Sequence, residues 1–394
     1  MLIDEAMNRI VKIYSDTFPN IEIFYKNNGG RRFAEGLFKD RSSVIEKISQ
    51  YFPIKWSYNI ILVFEPIISL LIILFLFCKA LYKVFFIHKL NTENIDRLFL
   101  LFDNILMISR CKAAGIFNSS EYWLIRPFTA KMMNDLGEKK VITIYNVLNY
   151  CDVIKAFVYS IYAIIYVSSH NPQHYLRQPY KSFEFYLTYF TILKFSKETE
   201  LVFPNHIDRW AVLVEHCPQK RKVLVQHGIE SKKADWPIKM STVTTVYAFN
   251  KELGDDLKKA LLTNEPEFNY MNATIELTDD VEDNNYKVLI VCHPAAMREI
   301  EEYLISHLQR PDITVYAKTH PTTKDVAFYE YLKTKYQFHL ITGRIYPKVN
   351  TLVSYRSTIV YEYEYYGIPT IMYYDKNLDD IIETIKTAAD EWKN

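Results

Sequence analysis

The feature that most constrains the fold is an alternation of short strand-like runs with helical segments, which occurs twice along the chain. From Glu93 onward, short apolar runs are separated by longer amphipathic or apolar segments. The strand-like runs of the first series are Arg97–Phe102, Glu121–Arg126, Val141–Tyr145, Leu201–Phe203, Lys222–Gln226 and Thr244–Phe249. Strands that alternate with helices pair in parallel and are covered by helices on both faces. The pattern therefore predicts a doubly wound parallel sheet.

A second series of the same kind begins after residue 285. Its strand-like and helical segments are Lys287–Cys292, Ala296–Leu308, Ile313–Lys318, Val326–Tyr336 and Phe338–Ile341. Residues 263–285, between the two series, are acidic and weakly patterned, which is typical of a linker. We therefore expect an α/β protein with two Rossmann-like domains, residues 92–262 and 286–394. These domains are expected to face each other across a cleft at the carboxyl ends of both sheets.

Residues 1–91 are predicted to form a helical N-terminal extension that is partly apolar. Its segment 60–87 is the most apolar part of the chain, although Glu65, Pro66 and Lys79 interrupt it. A membrane-spanning helix needs about 20 apolar residues, so this segment is short for a span. Aromatic and basic residues on both sides of it are typical of a membrane surface. The segment is consistent with a helix lying on the membrane, a span or a core helix, and membrane association is the favoured interpretation.

Charge and cysteine content exclude several classes of protein. The 394 residues include 47 basic and 46 acidic side chains, so no electrostatic surface for nucleic acid is indicated. The five cysteines occur singly, without the spacing of a zinc site or a disulfide framework. The N-terminal sequence lacks the order of a signal peptide. We expect a cytoplasmic protein without a structural metal.

The stretch Ser354–Pro369 has the pattern of a phosphate and ribose site. Ser354, Ser357 and Thr358 lie between a predicted strand and the start of a helix, where unpaired backbone N–H groups favour an anion. Glu362, about one turn into that helix, is suited to accept hydrogen bonds from the vicinal hydroxyls of a ribose. A simple helix cap is the alternative interpretation of these hydroxyl residues.

Two histidines are predicted to lie at the carboxyl ends of strands. Lys318, His320 and Pro321 follow a strand of the second series, where a cation and an imidazole suit a nucleotide phosphate. His227 and Gly228 follow a strand of the first series, and a neutral imidazole there suits a catalytic base. A turn at Pro321 and a helix cap at His227 are the structural alternatives.

Weaker candidates surround these motifs, at strand ends and at the start of a helix. Asp208 is a second candidate for the base, although an Asp at a helix start is most often a cap. The candidates for substrate binding are Arg126, Asn205, His206, Arg209, Gly228, Glu230 and His293.

Three motifs, which occur along the chain in the order His227-Gly228, His320-Pro321 and Ser354–Pro369, resemble GT-B glycosyltransferases of bacterial surface-polysaccharide synthesis, over about residues 93–390. In that family a Glu at a helix start is followed five residues later by Gly-x-Pro, as Glu362 is by Gly367–Pro369. His320-Pro321 resembles the His-Pro of bacterial sialyltransferases, capsule Kdo transferases and CDP-glycerol glycerophosphotransferases. His227-Gly228 is similar to a strand-His-Gly element of the glycerophosphotransferases. The acidic base motif of polysialyltransferases is not visible in the first half, which favours His227 as the base.

The resemblance implies a nucleotide-activated donor, with CMP or CDP favoured over UDP, bound by the second domain. It implies a lipid-linked or polymeric glycan acceptor near His227, capsule, lipopolysaccharide or teichoic-type polymer as the product, and no catalytic metal or resident cofactor. An enzyme of this kind would work in the cytoplasm, peripherally associated with the inner membrane. The alternatives are a sugar-nucleotide epimerase of the same fold and an inactive membrane-bound scaffold of polysaccharide assembly.

Overall fold

Two sheets of parallel strands, together with helices, form the regular structure of the residues that are described. The computed structural model describes residues 5–17, 54–101, 106–117, 122–125, 140–170, 181–204, 208–227, 236–278, 284–293, 298–320, 326–343, 345–355, 357–373 and 376–393. The two compact units that contain these sheets are Met1–Tyr270 and Met271–Asn394.

The strands of the described residues are numbered in chain order. They are β1 (Arg97–Leu101), β2 (Tyr122–Ile125), β3 (Lys140–Thr143), β4 (Glu200–Phe203), β5 (Lys222–Val225), β6 (Thr245–Ala248), β7 (Glu267–Tyr270), β8 (Tyr286–Val291), β9 (Ile313–Lys318), β10 (His339–Ile341), β11 (Thr351–Ser354) and β12 (Thr370–Met372).

The α-helices of the described residues are numbered in the same way. They are α1 (Glu5–Ser15), α2 (Ile54–Phe86), α3 (Leu106–Ala113), α4 (Tyr150–His170), α5 (Lys181–Ile192), α6 (Arg209–Glu215), α7 (Lys251–Leu261), α8 (Arg298–His307), α9 (Val326–Lys333), α10 (Ile359–Tyr365) and α11 (Leu378–Trp392). A short 3₁₀ helix spans Ile144–Asn146.

The first unit contains a seven-stranded sheet in the order β3-β2-β1-β4-β5-β6-β7. The second unit contains a five-stranded sheet in the order β10-β9-β8-β11-β12. Every strand pair in both sheets is parallel. The predicted α/β class with two doubly wound parallel sheets is confirmed, whereas the cleft between the units stays a prediction.

Burial explains why the strands carry few polar residues. All residues of β5, β9 and β11 are buried, as expected for central strands with helices on both faces. In each doubly wound sheet the strand order reverses at one point, and ligands of such sheets bind outside the carboxyl ends there. This point lies between β1 and β4 in the first sheet and between β8 and β11 in the second.

Two predicted domain boundaries differ from the boundary between the compact units. Helices α1 and α2 belong to the first unit, because buried residues such as Val11 and Ile73 are part of its hydrophobic core. The helices described within the predicted extension 1–91 are therefore part of the first compact unit, and a boundary at residue 91 stays a prediction. The predicted linker 263–285 contains β7, and the boundary lies inside it, after Tyr270. Its acidic composition concealed this edge strand, whose short, half-exposed run gives little hydrophobic pattern.

Candidate active site

His227 lies where the sequence places it, two residues after β5 at the carboxyl edge of the first sheet. Its Nδ1 is 2.6 Å from the carbonyl oxygen of Pro204, the residue that follows the neighbouring strand β4. A carbonyl oxygen can only accept, so Nδ1 carries the proton in the neutral imidazole and the lone pair is on Nε2. The fold thus fixes the tautomer that a proton acceptor at Nε2 requires.

Asp208 and Arg209 have structural contacts at the same edge. Asp208 Oδ1 accepts hydrogen bonds from the backbone N–H groups of Trp210 and Ala211, at 2.9 and 3.3 Å, so Asp208 is the N-cap of α6. The guanidinium of Arg209 lies over the indole of Trp210, 4.7 Å from the ring centroid, and 4.0 Å from a carboxylate oxygen of Glu184. These contacts hold the start of α6, and a catalytic or substrate-binding role for either residue stays a prediction.

Several predicted site residues lie outside the described residues. They are Arg126, Asn205, His206, Gly228, Glu230 and Pro321. Their roles stay predictions from the sequence.

The switch point of the second sheet brings His293 and the end of β11 together. Ser354, the last residue of β11, pairs with Val291 of β8, and His293 follows two residues after Val291. The imidazole of His293 packs edge-on against the ring of Tyr355, with 4.7 Å between ring centroids. The hydroxyl oxygen of Ser354 is buried and has no hydrogen-bond partner among the described residues. A buried hydroxyl without a partner is uncommon in native proteins and marks a position where a ligand or water can be bound.

Behind His293 lies a buried carboxylate that the sequence interpretation missed. Glu301 of α8 is fully buried; its Oε1 accepts from the backbone N–H of His293 at 2.6 Å and its Oε2 accepts from the hydroxyl of Tyr329 at 2.5 Å. Burial raises the pKa of Glu301, and these two hydrogen bonds oppose the shift. Burial also raises the pKa of the Cys292 thiol beside this pair.

A sequence signal for Glu301 exists in hindsight. The apolar stripe of α8 includes Leu304 and Ile305 and is followed by Leu308 just after the helix, and residue 301 continues that stripe at the spacing of a helix. A carboxylate on the buried stripe of a helix requires partners, because an unpaired buried charge is costly. A charged residue at an apolar position of the helix, here Glu301, was therefore the sequence signal for a buried carboxylate with partners.

Lys318, the last residue of β9, binds two backbone carbonyls. Its ammonium donates to the carbonyl oxygens of Gly343 and Ile345, at 2.6 and 2.9 Å, and lies 4.5 Å from the ring centroid of Tyr346. Burial lowers the pKa of Lys318 to about 8. In the described structure Lys318 thus holds the loop after β10, and its role as a phosphate ligand stays a prediction.

His320 lies two residues beyond the end of β9, at the strand end that the sequence predicted. Strand β9 pairs with β8 in the sheet. The residue is half-buried, and desolvation lowers the pKa of its imidazole. A neutral imidazole is therefore favoured in the free protein, and an anionic ligand would favour its protonation.

Glu362 is buried and its carboxylate binds another segment of the second unit. Its two oxygens accept from the backbone N–H and the hydroxyl of Thr274, at 2.5 and 2.6 Å. Glu362 thereby joins α10 to residues 271–278, and ribose binding by this carboxylate stays a prediction. Ser357 and Thr358 precede α10, and the Thr358 side chain makes no capping hydrogen bond to it.

Gly367 ends α10 in the manner that the Gly-x-Pro sequence suggests. Its φ is +73°, a left-handed conformation that glycine adopts without strain. The N–H of Gly367 donates to the carbonyl of Glu364 and that of Ile368 to the carbonyl of Tyr363, at 2.9 and 3.2 Å. These two bonds form a Schellman motif, which fixes the turn into β12.

No protein-family model and no curated protein sequence matches this chain. Among solved structures, it is similar to TarM at 11% identity and a TM-score of 0.36, over 53% of this chain and about half (52%) of that one. It is similar to HepE of Anabaena in complex with UDP-glucose at 9% identity and a TM-score of 0.42, over 75% of this chain and 90% of that one. It is also similar to the UDP-N-acetylglucosamine 2-epimerase of Rickettsia bellii at 8% identity and a TM-score of 0.38, over 75% and 88% of the two chains.

All of these TM-scores are below 0.5. The function proposed below therefore depends on the residues of this chain and not on these neighbours. Among the residues that the structure describes, no group of three or more His, Cys, Asp and Glu side chains is arranged to hold a metal ion.

Proposed function

We propose that this protein is a glycosyltransferase that moves a sugar, or a polyol phosphate, from a nucleotide-activated donor to a glycan acceptor. The observation that carries the proposal is the 2.6 Å contact between His227 Nδ1 and the Pro204 carbonyl at the carboxyl edge of the first sheet. It orients a neutral imidazole so that Nε2 can take the proton of an acceptor hydroxyl.

In the proposed reaction, His227 acts as the general base. As the acceptor oxygen attacks the activated carbon or phosphorus of the donor, its proton moves to Nε2 of His227. The bond between that carbon or phosphorus and the leaving nucleotide breaks, and the nucleotide leaves with the electron pair. The Pro204 carbonyl then stabilises the imidazolium through the Nδ1–H hydrogen bond.

Residues at the carboxyl edge of the second sheet are proposed to bind the donor. His293 and His320 follow the adjacent strands β8 and β9, and the buried hydroxyl of Ser354 ends β11 on the other side of β8. Imidazole N–H and hydroxyl groups are suited to phosphate oxygens. On the resemblance of His320-Pro321, we propose a CMP- or CDP-activated donor in preference to a UDP-activated one.

The acceptor is proposed to be a lipid-linked or polymeric glycan of bacterial surface-polysaccharide synthesis, at the cytoplasmic face of the inner membrane. The apolar helix α2 supports this placement, because Ser69–Phe86 is long and apolar enough to contact or cross a membrane by length and composition.

Nucleotide binding tests the donor half of the proposal. We expect CMP or CDP to raise the Tm of the full chain, because a ligand that binds only the folded state stabilises it. UDP and GDP, at the same concentrations, are the comparison ligands. Absence of a shift with all four nucleotides would contradict donor binding.

Paired histidine variants test the catalytic half. His227→Ala should abolish nucleotide release from a donor that supports turnover and leave the donor-induced Tm shift intact. His216→Ala is its control, because His216 is an exposed histidine of the same unit that lies at the C-terminal end of α6, outside the proposed site. His320→Ala should weaken the donor-induced shift, whereas His339→Ala, at the exposed start of β10, should not.

The same assays separate the two alternatives. A sugar-nucleotide epimerase would yield an isomeric sugar nucleotide without net release of nucleotide. An inactive scaffold would support polymer production in cells even when both His227 and His320 are replaced by alanine. Either result would refute the transferase proposal.

A further inference from the structure

Helices α2 and α4 form a pair in which each helix has one buried face and one exposed face. Buried residues of α2 include Ile73, Ala80 and Val84, and those of α4 include Ala156 and Ala163. These residues belong to the hydrophobic core of the first unit. Both helices therefore pack into the core of the first unit, α2 from residue 67 onward and α4 as far as residue 166.

The two helices run antiparallel. The backbone after α2 is bonded to the segment just before α4, since Leu90 N–H donates to the Asn146 carbonyl at 2.9 Å. Further along both helices, the rings of Phe77 and Phe157 are in contact, with 4.5 Å between centroids. The end of α2 and the beginning of α4 thus lie at the same end of the pair.

The exposed faces of both helices are apolar. Of the twenty large hydrophobic side chains that are exposed among the described residues, twelve lie on α2 and α4. They are Ile67, Leu70, Leu71, Leu74, Phe75, Tyr82, Phe85 and Phe86 on α2, and Tyr150, Ile154, Val158 and Ile165 on α4. Most neighbouring members are three, four or seven residues apart, which places them on one side of each helix. We refer to these twelve side chains as the α2–α4 face.

Within the two segments that carry the α2–α4 face, the exposed charged side chains are basic, whereas Glu65 lies on α2 just before the first of these segments. Between residues 67 and 90 and between 150 and 166, the only carboxylate is Asp152, which is buried and paired with the ammonium of Lys194 at 2.9 Å. The basic residues in these two segments are Lys79, Lys83, His88, Lys89 and Lys155. Exposed apolar and aromatic side chains accompanied by lysines, without exposed carboxylates, complement an anionic lipid surface.

We propose that the α2–α4 face docks on the surface of a bilayer that contains anionic phospholipid, with both helices lying in the plane of the interface. This inference deepens the membrane association proposed above by defining its surface and by adding α4 to it. A spanning α2 would expose its buried face to lipid and leave a gap in the core of the first unit.

Binding to vesicles tests the inference without donor, acceptor or turnover, so its failure leaves the transferase proposal standing. The purified full chain is sedimented with vesicles of phosphatidylcholine, with and without phosphatidylglycerol. We expect binding to the mixed vesicles and much weaker binding to pure phosphatidylcholine.

Variants on the two helices define the surface. Phe75→Asp on α2 and Ile154→Asp on α4 should each lower the vesicle partition coefficient by at least about tenfold, since each places a charge on the apolar stripe. Lys155→Gln should lower it about fivefold, and only with phosphatidylglycerol present. Tyr331→Asp, at an exposed position of α9 in the second unit, is the matched control and should change binding by less than about twofold.

Three outcomes would overturn the inference. The first is absence of binding to the mixed vesicles by the folded chain. The second is wild-type binding by Ile154→Asp, which would exclude α4 from the surface. The third is a dimer in sedimentation velocity that Phe75→Asp dissociates, without vesicle binding, which would show that a second copy covers this face. Thermal unfolding of every variant verifies that loss of binding is not loss of fold.

Discussion

Replacing Glu301 by leucine should destabilise the second unit strongly, because its buried carboxylate accepts two hydrogen bonds, a buried one from Tyr329 and a part-buried one from His293. The substitution keeps side-chain volume similar but removes both acceptors. It leaves the backbone N–H of His293 and the hydroxyl of Tyr329 without the partners that the structure gives them at 2.6 and 2.5 Å. A buried donor that loses its acceptor costs about 1–3 kcal/mol, and the part-buried N–H of His293 is expected to lie at the low end of that range.

The expected net effect is somewhat smaller than the sum of two such losses. Removing a buried carboxylate also relieves its desolvation, which is the main cause of the raised pKa of Glu301. We therefore expect a loss of about 2–4 kcal/mol in the free energy of unfolding. At about 4 °C per kcal/mol for a unit of this size, the Tm should fall by roughly 8–16 °C.

Glu301→Gln should be much milder and should differ in its pH dependence. The amide oxygen can still accept from His293, and the amide N–H₂ can donate to the Tyr329 hydroxyl, so we expect a loss within about 1 kcal/mol at neutral pH. The pKa of Glu301 is raised above its ordinary value of 4.5 in the folded state. The stability of the wild type relative to Gln should be largest below pH 4.5 and should decrease as pH rises through the folded-state pKa.

Thermal and urea unfolding followed by circular dichroism, from pH 4 to 8, measure both effects. Glu302→Leu is the control, because the half-exposed carboxylate of Glu302 accepts only long contacts of 3.4 Å from Lys335 and Tyr336. We expect the control to change stability by about 0.5 kcal/mol or less. The reasoning is wrong if Glu301→Leu unfolds within 2 °C of the wild type, taken as roughly 0.5 kcal/mol. A wild-type advantage over Gln that grows with pH would refute the sign of the pKa shift.

Three further predictions concern the edges of the sheets. Gly367→Ala should lower the free energy of unfolding by about 1–2 kcal/mol, because alanine is strained at a φ of +73°. No neighbouring atom lies near the added Cβ, so no steric clash adds to this cost. An unchanged midpoint in urea unfolding would argue against the left-handed turn. Asp208→Ala should lower the free energy of unfolding by about 1 kcal/mol, because α6 loses its N-cap. Asp208→Asn should keep most of that stability, since asparagine also caps helices. Equal losses for the two variants would instead indicate a role for the charge. His320 has a lowered folded-state pKa, so the unfolded chain binds this proton more tightly and stability should fall as pH drops below the ordinary value of 6.5. His320→Gln should flatten that part of the pH profile, and an unchanged profile would show that other groups cause it.

The alternation of strands and helices was sufficient to predict two parallel sheets and the strand ends that carry His227, His293 and His320. This worked because central parallel strands are buried on both faces and leave a short apolar run in the sequence, as β5, β8 and β9 do. The same reasoning missed β7, whose residues are half-exposed at the edge of its sheet. It also missed Glu301, because the helix that follows β8 was not examined for polar residues on its buried side.

The sequence by itself determined the class of fold, the parallel strands and the polar residues that follow them, since these depend on local hydrophobic periodicity. Only the tertiary structure decided what those residues contact. Glu362 bonds to Thr274, 88 positions away, and Lys318 bonds to Gly343 and Ile345, 25 and 27 positions away. It also decided that α2 has one face in the core and one outside. Such partners are brought together by packing between distant segments, and no local pattern of residues specifies them.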